Sequence, residues 1–360
     1  MLTILLFILI LGIVVLTHEF GHFIVAKKSG MRVDEFGFGF PPKLFGIKKG
    51  ETTYTFNLFP IGGFVKIHGE DGKDRNDPRS FAGRPFWKKS LVIVAGVVMN
   101  FLVAYVFFSA VHMIGAPTII GDEETPSNVK DVAVQIISVV KDSPAESAGI
   151  LTGDKILSIQ AGESVTSAQS AGEVSDFISG HTGETLLFTV ERGKDTLEFS
   201  ILAREDIPEG QGATGISLVR IGVIQHPPHT ALVEGAKTTY NLTVASVSVF
   251  GSTVKQAVVD GSVPEDISGP VGIAIMTGTV RDLGLTYVLQ FIALISLSLG
   301  ILNIVPFPAL DGGRFAFLVA EKIKGSPVSS KVETAAHATG FVLLILLIVL
   351  ITVHDINRFF

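Results

Sequence analysis

Five residues near the start of the chain, His18-Glu19-Phe20-Gly21-His22, have the types and spacing for metal chemistry. On a helix, positions i and i+4 fall on one face, ~6 Å apart along the axis, so two imidazoles there can share one ion. The glutamate between them is then a general base beside that ion. A tetrahedral hydrolytic site such as that of zinc asks for three protein ligands and one open position. There is no cysteine, so the ligands must be His, Asp or Glu. The best distant candidate is Asp311, in Asn303-Ile304-Val305-Pro306-Phe307-Pro308-Ala309-Leu310-Asp311-Gly312-Gly313. Pro306 and Pro308 cannot sustain a regular helix, and Gly312 and Gly313 let the chain turn closely. Alone, Leu-Asp-Gly-Gly reads as a helix-ending turn with a solvated aspartate. Beside the first motif it reads as a ligand. His68, His112, His181, His226, His229, His337 and His354 lack paired spacing and read as surface or packing residues.

The elements that must position these groups are membrane helices. The chain is 47% apolar and 17% charged, with mean hydropathy +0.51. That excludes an ordinary soluble domain and is not apolar enough for a pure helical bundle, so several spans plus a water-soluble part follow. Residues 1–27 form a first span that carries the histidine motif. No basic residue precedes the apolar stretch and no small-residue cleavage site ends it, which disfavours a signal peptide. Further spans are expected at 90–113, 287–313 and 337–356, each near the ~20 residues that cross a bilayer. Spans one and three run the same way, so His18, ~24 Å along the first helix, and Asp311 come to the same membrane face.

Charge orients the spans. Residues 27–90 hold 13 Lys/Arg against 7 Asp/Glu, and residues 117–286 hold 10 against 22. With Lys27, Lys28, Arg84, Lys88 and Lys89 at span ends, region 28–89 is expected in the cytoplasm and the acidic region outside, with both termini outside. Region 314–336 is then a cytoplasmic loop.

Between spans one and two, Phe36-Gly37-Phe38-Gly39-Phe40-Pro41-Pro42 and the later run Thr53–Phe59, Gly62-Gly63-Phe64-Val65-Lys66-Ile67 predict a β-hairpin with apolar faces. Residues 117–206 alternate β-like runs with turn clusters. Ser143-Pro144-Ala145-Glu146-Ser147-Ala148-Gly149-Ile150 followed by Gly153-Asp154-Lys155-Ile156 resembles a PDZ domain of the bacterial protease type, with room for one copy. Such a domain binds extended chain ends by strand addition or stands over the site as a size filter. Residues 207–286 read as a linker and an amphipathic membrane-surface helix.

His18-Glu19-Phe20-Gly21-His22 together with Asn303…Pro306-Phe307-Pro308-Ala309-Leu310-Asp311-Gly312-Gly313 resembles the site-2 protease family of intramembrane zinc metalloproteases, its bacterial regulator of sigma-E protease (RseP) group in particular. The resemblance covers essentially the whole chain. It implies Zn2+ held by His18, His22 and Asp311, with Glu19 as catalytic base. It also implies substrate handling by Asn303, Pro306 and Pro308, and a sheet dipping into the membrane whose edge, Gly62, Gly63, Phe64 and Val65, takes up an unwound substrate. Implied substrates are transmembrane segments, such as those of pre-cleaved anti-sigma factors or signal-peptide remnants, in a bacterial inner membrane. One departure is Gly96-Val97-Val98-Met99-Asn100, where relatives often have Gly-Pro before the asparagine, so no definite role falls to Gly96. A metal transporter and an inactive PDZ scaffold are the rival classes, and neither needs a glutamate between the histidines.

Overall fold

The computed structural model describes residues 2–72, 74–122, 129–193, 195–261 and 268–359. In chain order the elements are α1 (Leu2–Lys28), β1 (Val33–Lys49), β2 (Thr52–Ile67), α2 (Phe86–Ile114), β3 (Ala116–Ile119), β4 (Val129–Val139), α3 (Pro144–Ala148), β5 (Lys155–Ala161) and β6 (Ser164–Ser167). There follow α4 (Ala171–Gly180), β7 (Thr185–Arg192), β8 (Asp195–Leu202), β9 (Ile216–Ile224), α5 (Pro228–Val259), α6 (Pro270–Leu283), α7 (Leu285–Ile304), α8 (Asp311–Lys324) and α9 (Ser330–Phe359). Among the described residues four helices, α1, α2, α7 and α9, are long and apolar enough to cross a membrane. Segments 123–128 and 262–267 of the two regions between spans two and three lie outside the described residues.

The chain divides into two compact units. The first comprises Met1–Phe108, Gly235–Thr277 and Gln290–Phe360. In it Ala104 and Phe108 of α2 bury against Ala293, Leu297 and Ile301 of α7, and Leu242 of α5 packs on the same cluster. Asp355 of α9, fully buried, accepts the backbone N–H groups of Gly269 (2.9 and 3.0 Å) and Gly272 (2.8 Å). A carboxylate at a helix start satisfies unpaired donors and meets the positive dipole end, which ties α9 to α6.

The sheet of β1 and β2 is not a simple hairpin. Phe36–Phe38 face Gly63–Val65 on one side and Tyr54–Phe56 on the other, while Phe45–Lys49 pair with Thr52–Phe56. Each long strand therefore works as two halves, and the halves lie in the order 63–67, 33–38, 53–56, 45–49. Gly39 and Gly62, at φ of 79° and 98°, supply bends that a side chain would strain. The run Gly63–Ile67 ends up paired on one side only.

Span three is shorter than the sequence reading has it. Its helix, α7, ends at Ile304, residues 305–310 are irregular, and Asp311 opens the separate helix α8. Pro306 and Pro308 explain the break, and an acidic residue in a first turn suits the helix dipole.

The second unit, Ser109–Glu234 with Gly278–Leu289, holds a sheet in the order β3-β9-β4-β5-β7-β8, with β6 on β5. Val134, Ile136, Ile159, Val174, Leu186, Phe188 and Ile201 form its core. The stretch after residue 206, read as linker, contains β9, which pairs with both β3 and β4. Asp154, 1% exposed, takes a two-pronged ion pair from Arg192 (2.7 Å on each prong) and the Leu151 N–H at 2.9 Å. The Asp154 carboxylate pushes the Arg192 guanidinium pKa up further. Removing one partner leaves a buried charge unpaired. Arg192→Ala, which strands the buried Asp154 carboxylate, is expected to destabilise this unit by about 3 kcal/mol, read as earlier proteolysis of the insert in full-length protein under rising urea.

Candidate active site

One face of α1 carries both histidines of the motif, and α2 lies against that face. Glycines make the approach possible. A Cβ on Gly21 would run into the Ala95 carbonyl, and one on Gly96 would meet the rings of His22 and His18. The backbone of α2 then orients the ligands. His22 Nδ1 is 2.8 Å from the Val92 carbonyl, so it donates there and leaves Nε2 as a lone pair. His18 Nδ1 is 3.2 Å from the Asn100 side-chain amide, whose Oδ1 is buried without a partner. With its oxygen toward His18 the same amide accepts from Nδ1–H, which leaves His18 Nε2 as a lone pair. Ser296 on α7 donates to the Asn100 carbonyl at 2.9 Å, which joins α2 to the helix leading to Asp311.

Asp311 comes from the far end of the chain. Gly312 sits against the Ile304 and Val305 carbonyls and Gly313 against that of Phe307, so α8 starts tightly on the end of α7. Ala309, two residues before Asp311, has φ of 84°, a left-handed conformation that costs a residue with a Cβ about 1–3 kcal/mol. The result is a near-equilateral triangle of donor atoms. His18 Nε2 and His22 Nε2 are 3.2 Å apart, and Asp311 Oδ2 lies 3.2 Å from the first and 3.1 Å from the second. Donors at 2.0–2.1 Å from a tetrahedral zinc stand about 3.3 Å apart, so the triangle has the size such an ion needs. Asp311 Oδ2 is buried with no hydrogen-bond donor, and two lone pairs facing a carboxylate oxygen repel unless a cation lies among them. Among the described residues, His18, His22 and Asp311 are the group that could hold a metal.

A cavity of about 290 Å³ opens on the triangle, lined also by Glu19, Asn303, Arg314, Phe64, Val65 and Ile67. Gly63 packs on α1, where an added Cβ would lie 3.3 Å from Glu19 Cγ. The half-paired strand therefore borders both the base and the donor triangle. Gly62 is turned toward the Phe40 ring. Pro306 and Pro308 do not line the cavity; Pro306 is exposed, and Pro308 is flanked by Gly313 and Gly340. Their work is on the shape of the loop.

Several residues here were invisible as site residues in the sequence. Gly96 gains a definite place against the histidines. Asn100 carried a signal, being the one strongly polar residue between Leu91 and Val111. Arg314 lies three residues after Asp311 and makes an ion pair with Glu70, which follows β2, and the Glu70 carboxylate raises its pKa. His337, read as a packing residue, accepts the Ala309 N–H at 2.9 Å.

The sequence profile described as peptidase family M50 matches residues 6–347. A protein of Nostoc sp., named as a candidate zinc metalloprotease, is 33% identical over 94% of this chain and 91% of its own length. Another such protein, from Clostridium perfringens, is 34% identical over 95% of both chains. The zinc metalloprotease RasP of Geobacillus kaustophilus is 30% identical over 98% of this chain and 97% of its own. With matches of this extent running from the first span to the last, the chain belongs to peptidase family M50, the site-2 proteases.

Proposed function

We propose that this protein is a zinc-dependent intramembrane endopeptidase that cleaves transmembrane segments of other membrane proteins. The observation that carries the reading is the triangle of His18, His22 and Asp311 donor atoms, 3.1–3.2 Å on each edge, beside Glu19 in a chain whose described residues include four membrane-length helices. His18, His22 and Asp311 hold the zinc. When bound, zinc supplies Lewis-acid polarisation of the scissile carbonyl and a lowered pKa for the attacking water. Glu19 takes a proton from that water and later delivers it to the leaving amide nitrogen.

A helical substrate has its backbone groups satisfied and its carbonyls shielded, so it must unwind before it can be cut. Gly62 to Val65 offer a free strand edge beside Glu19, able to take up the released N–H and C=O groups. Asn303, 8% exposed at the cavity wall, supplies a further donor and acceptor for the extended chain. The outer part of the sheet leaves Phe40, Leu44, Phe45, Ile47, Leu58 and Phe59 exposed, an apolar surface suited to dipping into lipid. The second unit acts as a single PDZ-like domain that binds substrate ends or limits substrate size. Basic residues at the span ends favour a cytoplasmic first loop, with both termini and the PDZ-like domain outside, in a bacterial inner membrane. Residues 240–259 serve as an amphipathic helix on the membrane surface. Pre-cleaved anti-sigma factors and signal-peptide remnants are the substrate classes.

The reading is tested by incubating the full-length protein, in detergent and then in liposomes, with a transmembrane peptide. Cleavage should stop with a zinc chelator and return when zinc is added back. Zinc flux across the liposome without peptide cleavage would instead assign a transporter.

A further inference from the structure

The loop that delivers Asp311 is held from outside the catalytic cavity. Ala309 keeps its left-handed backbone while its N–H points at His337 Nδ1, 2.9 Å away on α9. A ring nitrogen that accepts must be unprotonated, so the geometry requires the neutral imidazole with its proton on Nε2. The Phe317 ring of α8 sits on the imidazole with centroids 5.4 Å apart, limiting its rotation. One turn along α9, Gly340 lies against the Pro308 carbonyl so closely that no side chain would fit. On the other side Gly313 of α8 contacts Phe307 and Pro308. The loop is thus clamped between two helices at Pro308, and its strained residue is pinned by one side chain.

We propose that His337 is a positioning residue for the metal site: by accepting the Ala309 N–H it keeps the loop in the one conformation that sets the Asp311 carboxylate 3.1–3.2 Å from His18 and His22. This rests on Asp311 being a zinc ligand, as proposed above. Without the acceptor, Ala309 relaxes toward an ordinary backbone conformation and the carboxylate two residues on leaves its place. Partners that orient ligands from one layer out typically set metal affinity by about 10–100-fold.

The test compares His337→Leu, His337→Gln and His337→Asn in the full-length protein. The asparagine oxygen can occupy the place of Nδ1; the glutamine oxygen lies one carbon further out, near the place of Nε2. Zinc affinity of the metal-free protein is read by competition with a fluorescent chelator, and peptide cleavage gives kcat and KM. His337→Leu and His337→Gln should bind zinc about 10-fold or more weakly. Their kcat should fall while KM moves less than ~2-fold, since the substrate edge is untouched. His337→Asn should stay within ~3-fold of the parent on both readouts. If leucine prevents folding, the glutamine–asparagine contrast decides alone. Equal zinc affinity in all variants, or equal loss in glutamine and asparagine, overturns the proposal. An Asp311→Ala arm separates the two levels. If that variant keeps full zinc affinity, the ligand assignment falls and this inference with it. If it loses zinc while the His337 variants do not, only the role of His337 falls.

Discussion

Glu19→Gln should lower the cleavage rate of a transmembrane peptide by roughly 10²–10⁴-fold and leave zinc bound. The two halves of that expectation come from different observations. Glu19 is outside the group of donor atoms that converge, so its loss removes no ligand. It lines the same cavity, on the same helix as both histidines, and Gly63 of the strand edge packs against its side chain. Glutamine has the same shape and can still donate and accept hydrogen bonds, but it cannot take a proton. The water that attacks the carbonyl then has nowhere to leave its proton, and the leaving nitrogen has no donor. Measured against zinc content, a protein with full metal and no turnover would also trap substrate, since the strand edge and Asn303 are intact. Cleavage that survives Glu19→Gln at near-parental rate would show that another group serves as the base.

How much of this was readable in advance depends on what kind of information each residue carries. His18, Glu19 and His22 are legible because their spacing is a property of one helix, and helix geometry is the same everywhere. Asp311 needed an argument about span direction, which works because apolar length and loop charge are local too. The residues that hold these groups were a different matter. Val92 acts through its carbonyl, which no side-chain pattern reveals. His337 acts on a backbone N–H made available by a strained φ at Ala309, and neither the strain nor the contact has a sequence signature. The sheet shows the same limit. Alternation marks Thr53–Phe59 and Gly62–Ile67 as strands, but which half pairs with which follows from bends at Gly39 and Gly62. Prolines after Ile304 foretold an irregular loop, yet the restart of a helix at Asp311 comes from Gly312 and Gly313 packing on the end of α7.

Gly96→Ala, a single added methyl, should weaken zinc binding by roughly 100-fold or more with no loss of fold. By helix propensity alone the change is favourable, worth about 1 kcal/mol in a helix interior. Its Cβ, however, falls on His22 Nε2, and His18 Cε1 would be 2.8 Å away. Something must move, and the choice is set by stiffness. The backbone of α2 cannot retreat from α1, because α7 backs it: Asn100 is tied to Ser296 and lies close to Gly300. The imidazole rings are the far ends of flexible side chains and give way first. The protein therefore stays folded while two of its three donor atoms leave the triangle with Asp311. Chelator competition should show zinc affinity reduced by roughly 100-fold or more, with cleavage lost to the same extent and the unfolding temperature in detergent unchanged or slightly raised. The expected failure is specific to position. Val97→Ala, the next residue along α2, removes bulk instead of adding it and should leave zinc affinity near that of the parent. If Gly96→Ala binds zinc as the parent does, α2 does not press on the histidines as described, and its part in orienting them through Val92 and Asn100 falls as well.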